Sequence, residues 1–96
     1  MSTWRKKPVV IEAFRWTGGK DQTEDPAWMC QALLDGKARF EHVGTLEVSL
    51  LIETLEGTHR ANRGDWIIRG IKGELYPIKD SIFRETYDPV EDAQTI

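Results

Sequence analysis

The sequence predicts an α+β fold: a mostly antiparallel sheet or small open barrel of four to six strands, with one main helix and a short C-terminal helix. Three observations predict it. β-branched and aromatic residues gather in short runs within 8–16, 46–56 and 66–78; turn-forming residues separate those runs; and one helical stretch lies between Pro26 and Gly36. With 96 residues, 40% of them hydrophobic and 30% charged, the chain has the material for one core and not for two. Residues 1–89 therefore read as a single domain and residues 90–96 as a flexible polar tail.

The elements follow in order. Pro8 to Trp16 reads as the first strand, with Val10, Phe14 and Trp16 on one face at a period of two. Thr17 to Asp21 is a loop by composition. Asp25-Pro26 reads as an N-cap followed by proline at the first helical position, opening a helix that runs through Leu34 and stops at Gly36, with Met29, Ala32 and Leu33 on one side. Ala38 to Val43 is a short strand. Leu46 to Glu56 is the clearest one, Leu46, Val48, Leu50 and Ile52 alternating with Glu47, Ser49 and Glu53. Thr58 to Ala61 continues the sheet, and Asn62-Arg63-Gly64-Asp65 is a turn by residue type. Trp66 to Arg69 and Glu74 to Ile78 form a hairpin about Gly70-Ile71-Lys72-Gly73, with Pro77 confining the last strand to an edge. Asp80 caps a short helix that presents Phe83 and Tyr87 to the sheet and ends before Pro89.

Composition excludes several function classes. Apolar runs such as Val9-Val10-Ile11 and Leu50-Leu51-Ile52 are far below the roughly 20 residues of a membrane span. The basic N-terminus leads into a strand rather than an apolar signal segment, and the single cysteine, Cys30, makes no internal disulfide; a cytoplasmic setting is expected. Cys30 sits in the helix, where a small buried apolar role is expected of it. The net charge of -3 argues against a protein that holds nucleic acid mainly by neutralising phosphates. Charge alternates along the chain, positive over 1–20 and 57–79, negative over 21–56 and 80–96.

Chemistry is sparse. His42, His59 and Cys30 have no metal-ligand spacing, so neither a metal nor another cofactor is expected. No nucleophile motif accompanies any serine or cysteine, and the Gly70–Gly73 segment lacks the lysine ending and following helix of a phosphate-binding loop. Glu12 shares a face with Phe14 and Trp16 by alternation; it is paired with an arginine, lies in water at an edge, or is a perturbed acid. Trp66 stands among Arg60, Arg63, Arg69 and Lys72, with Tyr76 across the hairpin. An aromatic surface flanked by cations is what stacked bases use, whereas a tryptophan opening an Ile-Ile strand fills a core. These six residues are the candidate ligand- or partner-binding set.

Arg63 to Pro77, continued by Asp80, Ile82, Phe83, Thr86 and Tyr87, resembles the C-terminal half of a family of small proteins common in tailed phages and prophages. Arg5 to Ala13, Trp16-Thr17-Gly18 and Ile52 to Gly57 resemble it as well. Where relatives often carry proline before Gly-Asp, this chain has Arg63. The resemblance implies a phage or prophage origin and supplies no catalytic residues. It points to a non-enzymatic protein that blocks or redirects a host component, such as a host defence protein. The alternatives are a module that sequesters a nucleotide or nucleic acid at the basic hairpin around Trp66, and, last, a small hydrolase using Glu12 or Asp65. An edge strand near Pro77 or the long strand at 46–56 permits a homodimer.

Overall fold

The computed structural model describes residues 1–5 and 7–90, so all of the expected tail but Val90 lies outside the described residues. Its elements are β1 (Glu12–Arg15), α1 (Ala27–Leu34), β2 (Ala38–Glu41), β3 (Ser49–Thr54), β4 (Gly57–Ala61), β5 (Trp66–Arg69), β6 (Leu75–Ile78) and α2 (Asp80–Thr86). The six strands form two antiparallel three-stranded sheets, ordered β1-β5-β6 and β2-β3-β4, and no barrel closes. The α+β class stands, with the sheet divided in two.

One core joins the sheets. Phe14 and Ile67 from the first, Leu50, Ile52, Ala38 and Ala61 from the second, and Met29 and Ala32 from α1 are buried together, with Trp16 alongside. On α1 the spacing of Met29 and Ala32 turns one face inward, as the sequence predicts. The same geometry turns Cys30 out to solvent, contrary to the buried role expected of it. The helix also starts one residue late. Pro26 occupies the cap position with ψ 144°, outside the helical range, and Asp25 makes no capping bond. Gly36 ends the helix with φ +76°, a left-handed conformation that glycine adopts without steric cost.

The first strand is shorter than its composition predicts because its partner runs out. Glu12 pairs with Arg69, and the next residue, Gly70, turns its amide to the Glu74 carbonyl at 2.8 Å. Residues 8–10 are left exposed, and Val10, placed in the core by alternation, is 74% exposed. In the β5–β6 turn only Gly73 needs a positive φ, at +83°. Pro77 lies on the edge strand β6, as its missing amide proton requires.

The third strand departs from simple alternation. Leu46 lies in a hydrogen-bonded loop held by Thr45 and is 85% exposed, while Ser49 and Leu51, on the face opposite Leu50 and Ile52, are buried. The cause is a lid of charges. Arg60 on β4 reaches across β3 to Glu41 on β2, and Arg39 bonds Glu53 at 2.8 Å, so guanidinium groups and their stems cover Ser49 and Leu51 from above. The bond from Arg39 first, and that from Thr58 next, hold the Glu53 carboxyl below its ordinary range.

The outer face of the first sheet carries Arg15, Trp66, Ile68, Tyr76 and Ile78, and α2 lies against it through side chains. Phe83 stacks on Trp66 with ring centroids 4.0 Å apart and planes 7° from parallel, and Tyr87 packs on Phe83. Phe83 and Tyr87 thus face the sheet as expected. Asp80 does not cap the helix, however. Its Oδ1 accepts the Trp66 indole N–H at 2.8 Å and the Arg84 Nε–H at 3.0 Å, so the carboxylate is drawn to side chains instead of backbone amides.

Candidate binding cleft

Two turns of helix and two hairpins converge on one depression. Helix α1 gives Trp28 and Ala32, the β3–β4 hairpin gives Ile52, Leu55 and His59, and the β5–β6 hairpin gives Arg69, Glu74 and Leu75; together they line a cleft of about 620 Å³. Ile52 and Ala32 are buried at its base because they belong to the core that continues beneath it. Charges ring the apolar floor: Asp35, Glu53, Glu56 and Glu74 against Lys37 and Arg69. The volume falls within the range of ordinary ligand sites.

Each wall has a local reason. Trp28 is fixed by an edge-to-face contact with Phe14, centroids 5.5 Å apart, and by its indole N–H, which donates to Glu12 Oε2 at 3.2 Å. Glu12 also accepts from Arg69 Nη1 at 3.0 Å. The pairing with arginine at an exposed strand end is therefore the reading of Glu12 that holds, and Glu12 orients two residues of the cleft. At the opposite side Lys37 is tied in through its carbonyl, which accepts the Glu53 amide at 2.8 Å. One fully exposed apolar residue stands in the lining, Leu55 on the β3–β4 tip.

The six residues singled out in the sequence are dispersed. Arg60 lies on the outer face of the second sheet, bound to Glu41. Arg63 braces the corner between β4 and β5, donating from Nε to the Thr17 carbonyl at 2.8 Å and passing close over Gly18. Trp66 is half-buried with one ring face on Phe83. Lys72 stands exposed in the β5–β6 turn, where its amide faces Glu74 Oε1 at 3.3 Å. Among the six only Arg69 extends its side chain to the cleft; Tyr76 borders it from β6 with its ring on the outer face, beside Tyr87. Trp28, Lys37 and His59 were not singled out, and no local signal marks them, since each becomes a cleft residue only when separate segments meet.

Tyr76 has a perturbed hydroxyl. Burial first, then the neighbouring Tyr87 hydroxyl and the charge of Glu74, push it up to about 12 from an ordinary 10.0. The sign follows: the folded state holds its proton more tightly than the unfolded state, so this contribution to stability is present below about pH 10 and is lost as pH rises towards 12. Because the chain has two tyrosines, absorbance titration of the phenolates reads the shift directly. Tyr76→Phe is expected to remove the high transition and to flatten the alkaline fall in denaturant midpoint between pH 10.0 and about 12, the window those two values define. An unchanged titration in that variant would contradict the assignment.

Among the described residues no group of three His, Cys, Asp or Glu side chains comes together in a way that could hold a metal ion, and no helix is long and apolar enough to cross a membrane. Comparison of the chain with protein-family models, with curated proteins and with solved structures gave no match.

Proposed function

We propose that this chain is a phage- or prophage-encoded binding protein, without chemistry of its own, that blocks or redirects a component of its host, a host defence protein being the target class that best fits that origin. The observation that carries the reading is the cleft: an apolar floor continuous with the core, a charged ring, and the fully exposed Leu55 side chain at the β3–β4 tip. Apolar groups held out at a rim are what a protein partner buries. The resemblance of Arg63 to Pro77 and of Arg5 to Ala13 to the phage family supports the origin.

The competing reading is a nucleotide-sequestering module. It draws support from Arg69, whose side chain lies on the cleft, and loses support at Trp66, where Phe83 already covers one face of the indole. One experiment separates the two. The tagged chain is captured from host cells at physiological salt, and both protein and small molecules in the eluate are identified by mass spectrometry. A host protein in stoichiometric amount is the expected result. An eluate empty of protein overturns the proposal, and a nucleotide released on denaturation in its place establishes the competing reading.

A further inference from the structure

The N-terminal arm, aromatic and cationic in sequence, and the cleft, apolar and acidic in its lining, are complementary in chemistry. Residues 1–5 and 7–10 are exposed, Trp4 at 88% and Val10 at 74%, although Val9 and Val10 are strand-forming types that sheets bury. The indole N–H of Trp4 donates to the Ser2 hydroxyl, two residues away, at 3.2 Å. In sequence the arm carries three consecutive cations, Arg5-Lys6-Lys7, behind that tryptophan. The cleft offers the opposite: four carboxylates against two fixed cations in its lining, Glu53 already held by Arg39 and Arg69 already serving Glu12, which leaves Asp35, Glu56 and Glu74 against Lys37 over an apolar floor with volume enough for a large aromatic ring.

We propose that the arm of one copy seats in the cleft of a second copy, with Trp4 on the apolar floor and Arg5 and Lys7 against Glu56 and Glu74, and that the exchange is reciprocal across a two-fold axis. The arm leaves the fold at Glu12, which touches Trp28 and Arg69 on the cleft wall, so arm and cleft lie side by side in each copy. That is the arrangement an isologous dimer requires. Ten extended residues span about 33 Å, ample to cross to a neighbour. A host segment that uses the cleft is then an alternative occupant to the arm. This inference concerns the free protein and stands apart from the identity of any host target.

Sedimentation velocity over micromolar concentrations tests it. The full chain is expected to be a dimer that weakens with added salt, because the charges that meet are exposed. Trp4→Ala is expected to weaken the dimer about thirtyfold, the scale of a buried tryptophan anchor, and removal of residues 1–7 to give a monomer with an unchanged circular dichroism spectrum. Two charge reversals, Glu56→Lys with Glu74→Lys in one chain and Arg5→Glu with Lys7→Glu in another, are each expected to be monomeric alone and to form a mixed dimer together. A full chain that stays monomeric throughout the concentration range overturns the proposal, whether or not the arm folds onto its own cleft, and so does a dimer that survives removal of the arm or a pair of reversals that fails to recombine.

Discussion

Phe14→Ala is expected to cost about 3–5 kcal/mol, the range for truncating a buried phenylalanine. A domain of this size has only about 5–15 kcal/mol to lose. Phe14 is 1% exposed, faces Ile67 across the β1–β5 pair, and holds Trp28 edge-on from beneath the cleft. Truncation therefore acts at two levels. It opens a void where the first sheet meets α1, and it removes the support that, with Glu12, fixes the orientation of Trp28. Denaturant unfolding is expected to show a large fall in midpoint with little change in slope. Phe14→Leu, which keeps most of the volume, is expected to lose far less stability while still loosening Trp28. A loss under 1 kcal/mol in the alanine variant would contradict the shared core.

Trp66→Ala comes next in size, at about 2–4 kcal/mol, since it removes a half-buried indole together with its stacked partner contact. The loss should be local first. Helix α2 is tied to the sheet by Phe83 on the indole ring and by Asp80 on the indole N–H, so amides 80–87 are expected to lose hydrogen-exchange protection ahead of the core strands. Trp66→Phe separates the two ties by keeping the stack and deleting the donor. The indole bond first, then Arg84 and Arg15, holds the Asp80 carboxyl below its ordinary value of 3.8. Its contribution is therefore present above that value and is lost as pH falls through the lowered one. Trp66→Phe is expected to weaken the acid limb of stability while leaving α2 docked, whereas equal exchange rates for α2 in wild type and Trp66→Ala would show that the helix is held elsewhere. This variant also bears on function, because a ligand effect lost in Trp66→Ala reports on ligand contact only if α2 remains in place.

What the sequence made legible divides along the range of the forces involved. The helix face of Met29 and Ala32, the edge position of Pro77, and the Phe83 and Tyr87 side of α2 follow from local periodicity and from what proline lacks, and the structure has all three. Strand ends were not legible, because they depend on the partner: β1 stops where β5 turns away at Gly70. Nor was the burial of Ser49 and Leu51, which waits on Arg60 reaching over a neighbouring strand. The cationic residues around Trp66 look like one patch in sequence because they are close along the chain. Strand alternation, the tight β4–β5 corner and the β5–β6 turn send them to different faces. The cleft shows the converse, since its residues come from 28–37, 52–59 and 69–76, and only packing of the two sheets against α1 brings them together.

The surface proposed to meet a partner is the cleft, and not the patch of Arg60, Arg63, Trp66 and Lys72 outside it. Leu55 is fully exposed at the β3–β4 tip and Lys72 is exposed at the β5–β6 turn, so Leu55→Asp and Lys72→Ala leave the core untouched. The decisive measurement is host-protein capture at physiological salt by the wild-type chain and by these two variants side by side. Capture abolished by Leu55→Asp and retained by Lys72→Ala is the result predicted. Capture retained by Leu55→Asp and lost in Lys72→Ala would contradict it and return the binding surface to the hairpin.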